Sequence, residues 1–280
     1  MVVPGILLKS LDECLGYARS VQPASPSIAA RYWFHTYWHP SLDQTRVATM
    51  IESFDATQPC LTSGHQAALG IKLWLLDPEH ELLLIQSAMW ANLQPRLQDR
   101  LTFDLWSATT HPSFIFGDHM ETPWLLGLDV LYTYGGVWFP PMTYFNRDWS
   151  PLLTDREWIT STDCSSLETI DPEAMSFYLF PNSTNACQLS STIRHALAAS
   201  AMVPGWVFGH VYRSMLRHHA QPWLILPWCY MNPTSGCDAA SRSLRHLAGD
   251  PALDAPFRLA LTIENAQIVQ HAHQQRNRPT

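Results

Sequence analysis

The stretch ETPWLLGLDVLYTYGGVWFPPMTYFNRDWS, from Glu121 to Ser150, decides the fold of this chain. Thr122 can cap a helix that has Pro123 in its first position, and apolar residues then recur at helical spacing. We expect Gly135 and Gly136 to end this helix, because glycine accepts the left-handed backbone of a helix C-cap. The apolar residues VWF then predict a short buried strand, and the two prolines after them predict its end.

The flanking sequence predicts more strands and helices of the same kind. Arg31 to Pro40 alternates bulky aromatic residues, which favours a buried strand. The near-continuous apolar run from Ile71 to Asp77 is typical of a parallel strand buried on both faces. Between these strands, apolar residues from Val47 to Phe54 have helical spacing, and Ser41 is expected to cap that helix. The alternation predicts an α/β fold with a mostly parallel central sheet and flanking helices.

The length of 280 residues suits one large domain. We interpret residues 1–30 as an N-terminal helix and linker, residues 31–266 as the α/β domain, and residues 267–280 as a flexible tail.

Charge and hydropathy limit the partners. The formal net charge of −7 and the absence of a long basic run argue against a nucleic-acid partner. The chain has no apolar stretch long enough for a membrane span, and its N-terminus lacks the pattern of a signal peptide, so we expect a cytoplasmic protein. The six cysteines are scattered without a C-x-x-C pair, which fits thiols in a reducing compartment. The sequence leaves the oligomeric state open.

The helix, the glycine pair and the strand together resemble the core of the family-32 glycosyltransferases and their fungal relatives, which have the nucleotide-sugar-binding GT-A fold. In that family the segment reads approximately S-D-L-L-R-Y-x-x-L-Y-x-Y-G-G-[IV]-[YW]-[LV]-D-x-D. The matching positions here are Leu131, Tyr132, Tyr134, Gly135, Gly136, Val137 and Trp138, with weaker matches at His35, Trp38, Arg147, Asp148, Asp163 and Cys164. The resemblance implies a GT-A-like domain and covers roughly residues 30–235.

The polar residues of that family are missing from the matching positions. Its helix Asp and Arg, which hold the sugar nucleotide, fall on Trp124 and Gly127. Its two metal-binding aspartates fall on Pro140 and Met142. Hard cations need oxygen ligands, and neither a proline side chain nor a thioether supplies one. We therefore expect no metal and no cofactor, and a site remade for an uncharged or lipophilic ligand.

Three functions remain open at this point. The favoured one is a metal-independent enzyme that acts on a small hydrophobic metabolite, with a cyclisation or a pericyclic step such as a [4+2] cycloaddition. For such a step, the main requirement is that the side chains hold the substrate in a reactive conformation. The alternatives are a metal-independent glycosyltransferase that uses a nucleotide sugar, and a non-catalytic relative that retains only the fold.

The candidate site residues follow from the resemblance and from local chemistry. The predicted substrate-binding residues are the apolar side chains around the lost donor site: Trp38, Trp124, Trp138, Phe139, Pro140, Met142 and Tyr144. The predicted catalytic residues are His35, Asp118 and His119. His35 stands on the first strand, near the expected pocket, and the other two are a neighbouring acid and base before the core helix. Each has a structural alternative: a core histidine, or adjacent side chains that diverge from one another.

Overall fold

The computed structural model describes residues 13, 32–58, 69–107, 123–153, 155–160, 175–199, 206–226 and 260–262. Within these residues the strands are β1 (Tyr32–Tyr37), β2 (Leu69–Leu75), β3 (Leu101–Leu105), β4 (Gly136–Trp138), β5 (Thr143–Phe145), β6 (Trp158–Thr160), β7 (Phe177–Leu179), β8 (Leu224–Leu226) and β9 (Ala260–Thr262). The helices are α1 (Gln44–Thr57), α2 (Glu79–Gln86), α3 (Ala88–Leu97), α4 (Pro123–Tyr134), α5 (Thr184–Ala199) and α6 (Trp206–Arg217).

Seven strands form one sheet in the order β3-β2-β1-β4-β7-β6-β8. β1 pairs in parallel with both β2 and β4, β2 pairs in parallel with β3, and β6 pairs in parallel with β8. β7 alone runs in the opposite direction, because it is antiparallel to β4 and β6. The expected α/β fold with a mostly parallel sheet is therefore confirmed. β5 and β9 form a separate antiparallel pair.

The sheet separates two apolar core layers. On one face, strand residues such as Phe34 and Leu73 pack with buried residues of α1, α2 and α3. On the other face, residues such as Trp74 and Trp138 pack with buried residues of α4, α5 and α6. Helices cover both faces, as expected for strands that are apolar on both sides. We call these layers the α1-side core and the α4-side core.

The glycine pair has the predicted conformation. α4 begins at Pro123 and ends at Tyr134, and Gly135 follows with a φ of 66°. The backbone N–H of Gly135 donates to the Leu131 carbonyl at 2.8 Å, which closes the last turn. Gly136 has a φ of 100°, and a Cβ there would lie 2.4 Å from the Trp33 carbonyl oxygen. Only glycine therefore allows the start of β4 to pack this closely against β1.

The predicted cap of α1 is wrong by two residues. Asp43 caps the helix, because its carboxylate accepts from the backbone N–H groups of Thr45 and Arg46. Ser41 is engaged elsewhere: its backbone N–H donates to His39 Nδ1 at 3.1 Å, and its hydroxyl bonds to the same nitrogen at 2.6 Å. The local turn after β1 thus takes the serine away from the helix.

We predict that Gly127→Ala destabilises the protein. An added Cβ would lie 2.3 Å from the Trp138 ring, which packs directly against α4. Alanine normally favours a helix over glycine by about 1 kcal/mol, but the overlap should reverse the sign and cost about 1–3 kcal/mol. Thermal unfolding measures the change, and Trp138→Phe in the Gly127→Ala background should recover part of it. A rise in melting temperature for the single variant would contradict this packing.

Candidate active site at the carboxyl ends of β1 and β4

The connections of the sheet create a topological switch point between β1 and β4, where a crevice is expected. From β1 the chain moves outward through β2 to β3 on one side, and then returns to form β4 on the other side of β1. The helices between β1 and β3 pack on the α1-side core, whereas α4, before β4, packs on the opposite face. In open α/β sheets, ligands bind outside the carboxyl ends of the strands at such a switch point. The carboxyl ends of β1 and β4 are therefore the candidate site.

The end of β1 brings an indole and two imidazoles to this edge. Trp38 is buried, and its backbone N–H donates to the Trp74 carbonyl at 3.0 Å. His39 follows at the surface, and its ring lies 4.8 Å from the ring of His80 in the first turn of α2. The ring of His80 in turn lies 6.3 Å from that of Trp38. Neither His39 nor His80 is predicted from the sequence as a site residue, because only the folded sheet brings His80 beside the end of β1.

The end of β4 presents an apolar turn. Pro140, Pro141 and Met142 are all half-buried, and Met142 adopts a φ of 63°. The Thr143 hydroxyl fixes the turn by donating to the Pro140 carbonyl at 2.6 Å. The surface at this strand end thus offers hydrocarbon and a thioether.

His35 lies deeper on the α4-side face and has both ring nitrogens engaged. The indole N–H of Trp74 donates to His35 Nδ1 at 3.1 Å, so Nδ1 is unprotonated. His35 Nε2 then donates to the Gly135 carbonyl at 3.0 Å. Burial lowers the pKa of His35 from 6.5 to about 3, and the positive charge of Lys72 adds to the effect. His35 is consequently a neutral imidazole that links β1, β2 and the glycine turn.

This arrangement favours a positioning role for His35, because both nitrogens already bond within the chain. Its catalytic role stays a prediction. The other two predicted catalytic residues, Asp118 and His119, lie outside the described residues.

The structure divides the predicted substrate-binding residues between two places. The α1-side group comprises Trp38 and Phe139 in the core, Met142 and Tyr144 packed against it, and half-buried Pro140 at its edge. Trp124 and Trp138 instead belong to the α4-side core. The ring of Trp124 lies 5.8 Å from that of Phe208, and the Trp138 ring packs against Gly127. The sheet separates these two tryptophans from Trp38, so the three do not meet in one crevice.

A charged cluster lies on the α4-side face, away from the crevice. Lys72 Nζ is 3.3 Å from Asp104 Oδ2 and between 5.1 and 5.7 Å from the ring centroids of Trp33, Trp74 and Tyr134. These rings and the carboxylate stabilise the ammonium in place. The cluster joins β2 to β3 and to the end of α4.

The described residues contain no group of three His, Cys, Asp or Glu side chains arranged to hold a metal ion. None of their helices is both long and apolar enough to cross a membrane.

Comparisons with known proteins add little to this geometry. No family model matches the chain, and no curated protein matches it. Among solved structures, the PaToxG Glycosyltransferase is similar over 94% of this chain and 91% of that chain, with 11% sequence identity and a TM-score of 0.44. A similarity at this level assigns neither a family nor an activity.

We predict that His35 makes the stability of the protein depend on pH. The folded state holds this imidazole neutral with a pKa of about 3, whereas the unfolded chain protonates it near pH 6.5. The stabilisation is therefore complete above about pH 6.5 and is lost as the pH falls toward 3. At pH 4.5 the loss is about 2.7 kcal/mol, at about 1.36 kcal/mol per pH unit.

Thermal unfolding of the wild type and of His35→Gln between pH 7 and pH 4.5 checks this prediction. The glutamine amide does not titrate in this range, so the variant should lose less stability than the wild type over the same interval. Equal losses in the two proteins would show that another group causes the pH dependence.

We predict that Trp124→Asp, which introduces a carboxylate into the α4-side core, unfolds the protein. Trp124 is 5% exposed within the α4-side core, so the carboxylate would be buried without a partner. Such a change costs about 3–5 kcal/mol. Trp124→Phe serves as the control, since it keeps an aromatic ring and introduces no charge. A folded Trp124→Asp protein, as judged by circular dichroism, would mean that this side chain reaches solvent.

Proposed function

We propose that the chain is a metal-independent enzyme that acts on a small hydrophobic metabolite in the crevice between the carboxyl ends of β1 and β4. The observation that carries this proposal is the apolar turn from Pro140 to Met142. It occupies the strand end where the resembled family has its metal-binding carboxylates. A half-buried apolar turn beside an aromatic core suits an uncharged ligand better than a diphosphate.

The proposed reaction is a cyclisation or pericyclic step, specifically a [4+2] cycloaddition. In that step the three π bonds of a diene and an alkene become two σ bonds and one π bond. No proton, electron or leaving group is transferred, so no co-reactant is needed. Catalysis requires that the two reacting segments are held close together in the productive orientation. A hydrogen-bond donor to a conjugated carbonyl lowers the barrier further.

The residues best placed for this role are those of the α1-side group. Met142 and Tyr144 pack against the core that contains Trp38 and Phe139. Their side chains are apolar or aromatic and supply shape rather than charge. Tyr144 and Met142 are half-buried, so they can contact a ligand from the protein surface.

We predict that Met142→Asp abolishes this activity without unfolding the protein. Met142 already has a left-handed backbone, which Asp tolerates better than Met. The new charge should repel an apolar substrate and lower the rate at least tenfold, or about 1.4 kcal/mol. The probe is a synthetic linear trienone whose intramolecular cycloaddition is followed by loss of ultraviolet absorbance.

The matched control is Asn182→Asp. Asn182 is an exposed turn residue with a φ of 54°, so the substitution adds the same charge in a similar backbone conformation. It follows β7, the reversed strand, and therefore lies at the amino ends of β1 and β4. This variant should keep the wild-type rate. An unchanged rate in Met142→Asp, or no acceleration of the trienone by the wild type, would count against the proposal.

A metal-independent glycosyltransferase is the second candidate. It is favoured by the hydrogen bond between His35 and Gly135, two positions of the resemblance that lie 100 residues apart in the chain. The retained scaffold could still bind a nucleotide sugar. Melting temperatures with UDP-glucose or GDP-mannose, with and without Mn²⁺, separate the candidates, because a ligand at about 100 times its Kd stabilises by about 2.7 kcal/mol.

We expect no shift with either sugar nucleotide. A clear rise in melting temperature with either sugar nucleotide would favour the glycosyltransferase instead. If neither a sugar nucleotide nor the trienone had any effect, the result would favour a non-catalytic protein that retains only the fold.

A further inference from the structure

Three buried polar side chains near the candidate site have no hydrogen-bond partner within the part of the chain that the structure describes. They are Thr36, Trp38 and Ser176, and their unpaired atoms are Oγ1, Nε1 and Oγ respectively. All three are at most 2% exposed. A buried polar atom without a partner costs free energy, and most such atoms in proteins are paired.

These side chains lie on one face of the sheet. Thr36 and Trp38 are two residues apart, so the strand alternation that puts Phe34 in the α1-side core directs them to the same side. Ser176 precedes Phe177, which faces the α4-side core, so the serine faces the α1 side as well.

The strand register places two of them on either side of Phe139. His35 pairs with Trp138, and Trp138 pairs with Phe177 on β7. One residue further along, Thr36, Phe139 and Ser176 therefore stand in a row across three neighbouring strands. Strands are about 4.8 Å apart, so the two hydroxyl-bearing residues are separated by about 10 Å. Trp38 lies two residues beyond Thr36 on the same side of the sheet. We call the three polar residues Thr36, Trp38 and Ser176 the polar row.

His80 adds a fourth unpaired atom beside this row. Its Nδ1 is buried without a partner among the described residues, and its ring lies 6.3 Å from that of Trp38. By contrast, the nearby Thr143 hydroxyl is paired, because it donates to the Pro140 carbonyl. Polar atoms at this edge thus differ in whether another described residue pairs with them.

We propose that the polar row binds oxygen atoms of the substrate, so that Thr36, Trp38 and Ser176 are specificity-determining residues. An indole N–H can only donate, so the ligand atom that it meets must be an acceptor such as a carbonyl oxygen. The substrate is accordingly an oxygenated, carbonyl-bearing hydrophobic compound rather than a plain hydrocarbon. Donation to a conjugated carbonyl would also activate it for the cyclisation. This inference rests on the proposed function.

The first test needs no ligand. Thr36→Val removes an unpaired hydroxyl at nearly constant volume, so the melting temperature of the free protein should stay the same or rise. Thr143→Val is the matched control, since it removes a buried hydroxyl that has a partner. It should lower the melting temperature by about 2–4 °C. A similar drop for Thr36→Val would mean that the hydroxyl is satisfied within the chain, and would overturn the inference whatever the protein's activity.

The second test uses two probes of nearly equal shape, benzophenone and 1,1-diphenylethylene, in which a methylene replaces the carbonyl oxygen. The wild type should bind the ketone about tenfold more tightly, as one good hydrogen bond allows. Thr36→Val, Ser176→Ala and Trp38→Phe should reduce this ratio, and Asn182→Asp should leave it unchanged.

The outcomes separate the inference from the proposed function. Equal affinity of the wild type for both probes would overturn the proposed role of the polar row, but it would still support an apolar site at the carboxyl ends of β1 and β4. A ratio that all three polar-row variants retain would also overturn it. Failure to bind either probe would count against the hydrophobic site itself, and therefore against the proposed function.

Discussion

The buried hydrogen bonds of His35 hold the centre of this fold together. The imidazole accepts from Trp74 on β2 and donates to Gly135 at the end of α4, while its own backbone belongs to β1. The ring must be neutral, because a charged imidazole could not accept from the indole and would be buried without a counterion. The two hydrogen bonds by which this ring links β1, β2 and the end of α4 therefore depend on one protonation state. Gly136 makes the contact possible, because its backbone comes closer to β1 than any side chain would permit.

Other buried polar contacts fix the end of α1 against the sheet. Arg100 is nearly buried at the start of β3 and donates to the Leu69 carbonyl, to the Asp55 carboxylate and to the Gln58 carbonyl. The Gln58 side chain donates in turn to the Arg147 carbonyl and accepts from the backbone N–H of Trp149. These bonds tie the end of α1 to β2, to β3 and to the segment after β5. They use backbone groups that would otherwise be unsatisfied inside the protein.

The many aromatic residues mostly serve the two cores, and this affects the functional interpretation. A run of rings from Phe34 through Phe145 to Trp149 fills the α1-side core with centroid distances between 5.2 and 6.1 Å. Such packing is a structural use of large side chains. The candidate site is therefore limited to the few residues of the α1-side core that lie at the carboxyl ends of β1 and β4. There, an apolar turn occurs together with polar atoms that have no partner among the described residues, and small-molecule sites typically combine apolar surface with a few polar groups.

The sequence alone determined the elements whose signal is local. The start of α4 at Pro123, its end at the glycine pair and the buried parallel β2 all follow from residue chemistry over short stretches. The sequence also determined that carboxylates are absent from the turn after β4. Tertiary structure decided the rest, because strand alternation and pairing involve residues far apart in the chain. It placed Trp38 and Trp138 on opposite faces of the sheet, and it brought His80 beside Trp38. It also aligned Thr36 with Ser176 across β4, since register is set by hydrogen bonds between strands and no local pattern encodes it.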